Sequence, residues 1–167
     1  MTETLSKKEL DTQDLCGQLA TLLMKKQLKL VTAESCTGGM ISAACTDLAG
    51  SSAWFERGFV TYSNEAKAEL LGVQDRVLRR AGAVCEAVAR AMAEGALANS
   101  KAQVAVAVTG VAGPTGGSAS KPVGTVWFGF ALPGQVVTEK CHFPGDRAAV
   151  RAATVQHALN RLLKLLS

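Results

Sequence analysis

Histidine is almost missing from this chain of 167 residues, which has only His142 and His157. Aromatic residues make up 5%, with a single tyrosine, and there are four prolines. Of the five cysteines, Cys16, Cys36, Cys45, Cys85 and Cys141, no two form a C-x-x-C pair. No apolar run reaches the roughly 20 residues that cross a bilayer. The first ten residues, MTETLSKKEL, lack the apolar core of a signal peptide. Each absence closes off a class. Two histidines and unpaired cysteines argue against a metal site and against a disulfide framework. An odd number of thiols points to a reducing compartment. His142 falls on the polar side of its strand with Thr138 and Lys140, and His157 lies on a helix, so a Ser-His-Asp triad has no base. The net charge of +4 comes from scattered residues, not from a basic stripe interleaved with aromatics, which excludes a nucleic-acid footprint. A soluble, cytoplasmic protein without membrane or nucleic-acid partners is expected.

What is present is a dense apolar composition. Hydrophobic residues make up 48%, dominated by Ala, Val and Leu, with 16 glycines. That suits helices packed closely on a sheet, and the length suits a single domain, 1–167, with its own core. Residues 1–8 read as a loose tail. Between Glu9 and Gln27, Leu10, Leu15, Leu19, Leu22 and Leu23 lie on one helical face. Leu28 to Ala33 reads as the first strand, followed by the turn Glu34–Gly39 and a helix from Met40 to about Leu48. Gly58 to Tyr62 reads as a second strand, after which Asn64 caps a short helix ended by Gly72. Gln74 to Gly82 reads as a polar connector, and Ala83 to Ser100 as a helix. Ala102 to Val108 is a small-apolar run fit for a central strand buried on both faces. Strands over Val123–Leu132 and Gln135–Phe143 flank the turn Pro133-Gly134 as an antiparallel hairpin, and Arg147 to Leu166 is the last helix. The order α-β-α-β-α-α-β-β-β-α predicts an α/β fold. It is a three-layer α/β/α sandwich on a mixed, mostly parallel sheet with one antiparallel strand.

Polar groups cluster at four element ends: Glu34–Gly39, Tyr62–Lys67, Thr109–Ser118 and Pro144–Arg147. The first three follow apolar strands, so parallel strands bring them to one edge of the sheet, where ligands of open α/β folds bind. Ser35, on a strand-to-helix turn, is the candidate nucleophile. Thr37, Gly38 and Gly39 are candidate oxyanion or phosphate donors at a helix start. Ser and Thr are also ordinary helix caps, and Gly is ordinary in turns. With no histidine at hand, a hydrolase needs Lys67 or Tyr62 as base, since a desolvated lysine loses its proton more readily. Lys121 is a further basic group near the Gly-rich loop. That loop lacks both the Walker A ending and the G-x-G-x-x-G spacing. Arg147 can fork a phosphate or carboxylate. Cys36 beside Ser35 is read as packing, because adjacent side chains diverge.

Taken together, AESCTGG at 33–39, TYSNEAKAELLGV at 61–73, VTGVAGPTGG at 108–117 with KPVGTVWF at 121–128, and FPGDRAAVR at 143–151 resemble the CinA carboxyl-terminal domain family. The resemblance runs from about Leu15 to Leu165. It implies the activity of the family's stand-alone members, deamidation of nicotinamide mononucleotide to nicotinate mononucleotide and ammonia in pyridine nucleotide salvage. It implies Ser35 as nucleophile with Tyr62 and Lys67 beside it. Glu34, Thr37, Gly38, Gly39, Asn64, Thr109, Gly110 and Arg147 are the matching substrate-binding positions. It implies no metal, no organic cofactor and a homodimer. Two departures stand out. Cys85 replaces a common Ser, and Ser118-Ala119-Ser120 replaces a Thr-Pro-Glu-like stretch in a loop over the expected site. A non-catalytic pyridine-nucleotide sensor and a partner protein in competence or DNA damage are the alternative readings.

Overall fold

The computed structural model describes residues 10–167, so the expected tail at 1–8 lies outside the described residues. Five strands form one sheet: β1 Leu30–Glu34, β2 Phe55–Val60, β3 Val104–Gly110, β4 Thr125–Leu132 and β5 Gln135–His142. Their order is β2-β1-β3-β4-β5. β1 pairs in parallel with both β2 and β3, while β4 runs antiparallel to β3 and to β5. Only β4 therefore opposes the common direction, as the sequence predicts. Six helices accompany the sheet: α1 Thr12–Lys26, α2 Met40–Thr46, α3 Asn64–Leu71, α4 Asp75–Ala81, α5 Glu86–Ala98 and α6 Arg147–Leu166. A single 3-10 turn, Ser51–Ala53, precedes β2. No described helix is long and apolar enough to cross a membrane.

The alternation along β3 shows how the layers are built. Val104, Val106 and Val108 join a core with Leu15, Leu19 and Leu23 of α1, Ile41 of α2 and Leu159 and Leu162 of α6. Ala105 and Ala107 face the other way, with Val88, Met92, Ala93 and Ala96 of α5. Successive strand residues point to opposite faces, so one run supplies both cores. Large residues fill the first layer, and alanines let α5 approach the second.

Several element ends shift, with β1 at Leu30–Glu34 instead of Leu28–Ala33 and α5 at Glu86–Ala98 instead of Ala83–Ser100, and three further differences have a reason in the packing. α4 occupies the stretch expected to be a connector. It buries Leu78 and packs Val77, while its arginines face solvent, so it shows too few apolar positions for a helical period. β2 starts at Phe55, not Gly58, because Phe55 and Arg57 pair with Leu30 and Val31. Thr61 and Tyr62 have left the strand for the corner. The cap of α3 is Ser63, whose hydroxyl accepts from the Ala66 amide at 3.0 Å, and Asn64 is the first helical residue.

Candidate active site

Ser35 is the first residue past β1. Its amide donates to the Val108 carbonyl at 3.1 Å, the last link to the central strand. The chain then folds back tightly: the Gly38 amide donates to the Ser35 carbonyl and the Met40 amide to the Thr37 carbonyl, each at 3.1 Å. The turn needs left-handed backbone at Gly38 and Gly39, with φ of +58° and +105°, which glycine adopts without steric cost.

The far side of this turn is held by Glu34. Its fully buried carboxylate accepts from the Thr37 hydroxyl at 2.6 Å and the Ile41 amide at 2.8 Å. It also accepts from the Ser42 amide at 3.0 Å and the Ser42 hydroxyl at 2.8 Å. A carboxylate satisfying the first free amides of α2 is both a cap and a favourable charge at the helix start. The substrate-binding role expected of Glu34 and Thr37 therefore meets a different arrangement. Both side chains are buried, bonded to each other, and absent from the lining of the cleft.

Lys67 reaches the cleft from the first turn of α3. Its ammonium nitrogen lies 2.9 Å from Ser35 Oγ and donates to the Thr61 and Tyr62 carbonyls at 2.8 and 3.3 Å. The side chain is 1% exposed. Burial lowers its pKa from the ordinary 10.5. Uncharged, it has a lone pair to take a proton from Ser35. Cys36 is the reverse case. Burial pushes its thiol up to about 11, so the sulfur beside Ser35 stays protonated at neutral pH.

These groups open onto a cleft of about 310 Å³, lined by Ser35, Lys67, Tyr62, Thr109, Gly110 and Arg147 together with the glycine-rich loop after β3. Tyr62 is 61% exposed, and its hydroxyl accepts from Arg147 at 3.1 Å, not from Ser35 or Lys67. Arg147 also donates to the Gly113 carbonyl at 2.9 Å, so Tyr62, Arg147 and the loop form a bridge across the mouth. Thr109 turns its hydroxyl to the Ala83 carbonyl at 2.9 Å. Gly110 is demanded by packing, since a Cβ there would lie 2.7 Å from Val126 Cγ2 and 2.9 Å from the Thr125 carbonyl oxygen. Gly38, Gly39 and Asn64 do not line the cleft. Lys121 does not either, and its amine donates to the Ala81 carbonyl at the end of α4.

One residue that the sequence reading passed over is Arg151. From α6 it donates to the carbonyls of Cys36 at 3.1 Å and Thr37 at 3.3 Å. It pins the Ser35 turn from 115 residues away in sequence. The signal was its position four residues after Arg147, which puts both arginines on one face of α6.

Fold and site together define a three-layer α/β/α protein with a lysine-bonded serine at the C-terminal end of a parallel strand. The family model described as the CinA C-terminal domain matches residues 12–166, and the chain belongs to that family. It is 55% identical over 152 residues to the nicotinamide-nucleotide amidohydrolase PncC of Enterobacter agglomerans, covering 90% of this chain and 93% of that one. The protein of the same name from Escherichia coli K12 is 51% identical over 153 residues, covering 91% and 93%. Among solved structures, the competence/damage inducible protein CihA from Agrobacterium tumefaciens superposes with a TM-score of 0.91 at 46% identity. That match covers 95% of this chain and 97% of that one.

Proposed function

We propose that this chain is an amidase of nicotinamide mononucleotide, releasing ammonia and nicotinate mononucleotide through an acyl-enzyme on Ser35, as a step of pyridine nucleotide salvage. The observation that carries the reading is the 2.9 Å contact between a desolvated Lys67 amine and Ser35 Oγ. The names of the relatives supply the substrate class.

Lys67, neutral, accepts the Ser35 proton as Oγ attacks the amide carbon. The resulting oxyanion is stabilised by backbone amides of the turn. Those of Cys36 and Thr37 have no backbone partner among the described residues. Lys67 then gives its proton to the departing nitrogen, the C–N bond breaks and ammonia leaves. A water molecule, deprotonated by the same lysine, cleaves the ester and restores Ser35. Lys67 suits the role of base better than Tyr62, whose hydroxyl is committed to Arg147. Arg147, which lines the cleft with one terminal nitrogen on the Gly113 carbonyl and the other on the Tyr62 hydroxyl, is the group to meet the substrate phosphate with its remaining N–H donors. The cleft is at the lower end of the size of ordinary ligand sites, enough for a pyridine carboxamide with the ribose and phosphate toward the mouth.

The test is ammonia release from nicotinamide mononucleotide by the purified protein beside Ser35→Ala. Release that falls at least about a thousandfold in the variant is expected for loss of the nucleophile. Substrate binding without release by the wild-type chain would replace the amidase reading with that of a sensor.

A further inference from the structure

Away from the cleft, three side chains of different chemistry converge on one point between β5 and α6. Glu139 and Cys141 sit two residues apart on one face of β5. His157 reaches them from α6, ten residues past Arg147 and so about 15 Å along the helix from the cleft mouth. Its Nε2 lies 2.5 Å from Glu139 Oε1 and 3.5 Å from Cys141 Sγ, and the three donor atoms all fall within 4.8 Å of one another. All three residues are partly buried. The imidazole is held in place by Phe128 and Phe143, with ring centroids 4.6 and 5.9 Å away. Arg161, one turn further along α6, donates to the other oxygen of Glu139 at 2.9 Å.

A Cys-His-Glu relay does not fit this geometry. The thiol and the carboxylate meet the same ring nitrogen, whereas a relay needs one on each side of the ring. A single nitrogen carries at most one proton and cannot serve both partners. A cation at the shared point serves all three. We propose that Glu139, Cys141 and His157 form a site for a zinc-class divalent transition metal, with solvent as fourth ligand.

The donor set is a soft thiolate, an imidazole and a carboxylate, which zinc accepts in tetrahedral sites. Bond lengths of about 2.3 Å to sulfur and 2.05 Å to nitrogen at tetrahedral angles put the two atoms about 3.5 Å apart. That is the separation already present. Entry of the ion requires the carboxylate to move back by about 0.8 Å from its hydrogen bond with the ring. The thiol proton leaves to solvent, and the ring proton resides on Nδ1. Thiolate and carboxylate together balance the two positive charges. Arg161, bonded to the second oxygen, orients the carboxylate as outer partners of metal ligands do. Loading clamps α6 to the edge strand, and anything that binds only the folded state raises its stability.

Cobalt(II) is the probe, added to the purified chain and followed by absorption. The expected result is a thiolate-to-cobalt charge-transfer band with the intense visible bands of a tetrahedral ion, saturating at one equivalent and displaced by zinc. Cys141→Ser, close to isosteric and so expected to fold, loses the charge-transfer band. His157→Gln removes a ligand and weakens binding by more than the roughly ten- to hundredfold that loss of an outer partner costs. Zinc raises the melting temperature of the wild-type chain and leaves that of Cys141→Ser unchanged. A wild-type chain with no saturable thiolate band, or a band that survives in Cys141→Ser and so arises from another cysteine, overturns the proposal.

Discussion

Lys67 concentrates the tension of the site at one residue. A buried ammonium is disfavoured, and the folded chain accordingly holds Lys67 below its ordinary 10.5. Between the folded and unfolded pKa values the unfolded chain binds the extra proton, so stability rises with pH across that window. Below the folded value both states are protonated, and the full burial penalty is present. Lys67→Met should remove this alkaline rise, as read by denaturant unfolding at a series of pH values. With Lys67 as the proposed base, kcat/KM of the wild-type enzyme should climb through the same lowered pKa, since only a neutral amine accepts a proton. A profile flat up to pH 10 would speak against Lys67 as base. Thr61, whose carbonyl accepts from Lys67, has a second property. Its hydroxyl is the one buried side-chain polar atom among the described residues without a partner. Thr61→Val keeps the shape and removes an unsatisfied group, so it should raise unfolding free energy by about 1 kcal/mol.

At the scale of elements, the decisive piece is the Ser35 turn and what holds it. Glu34 fixes it to α2, Gly38 and Gly39 supply its backbone shape, and Arg151 fixes it to α6. With the Cys36 carbonyl held by Arg151, the peptide plane that carries the Thr37 amide is set, and with it the direction of one proposed oxyanion donor. Arg151→Met should therefore lower kcat by about tenfold to a hundredfold, the scale of a mispositioned oxyanion donor, with KM changed much less. Arg151→Lys should recover part of the loss. An equal rise in KM with unchanged kcat would mean that Arg151 serves substrate binding instead. The same scale shows where local patterns run out. α4 has two apolar residues facing inward and β2 is an edge strand of mixed polarity, so neither carries a period long enough to mark its ends.

Across the whole molecule, the sheet converts distant sequence into neighbouring chemistry. Three parallel strands end at the same edge, and their corners deliver Ser35, Lys67 and the loop after β3 to one cleft. The core on the α1 and α6 face of the sheet holds Phe128 stacked on Phe130 at 6.0 Å and against the His157 ring. Phe128→Ala should cost about 3–5 kcal/mol in denaturant unfolding, the usual loss for a fully buried ring. Much of this plan is legible in the chain. The apolar run of β3, the hairpin at Pro133-Gly134 and the alternation of strands with helices name the architecture, because periodicity and turn chemistry are local properties.

The sequence by itself determined the class of fold, the single antiparallel strand, the turn carrying Ser35 and the corner carrying Lys67. Each follows from residues close together in the chain. Only the tertiary structure decided what each polar side chain faces. Glu34 turns inward to cap α2, Thr37 turns inward to bond Glu34, and Tyr62 turns outward to Arg147. Arg151 joins the turn, and Glu139, Cys141 and His157 meet across two elements. The physical reason is that a side chain's partner depends on which helix packs over which strand end, and those contacts link residues as far as 115 positions apart, beyond the reach of any local pattern.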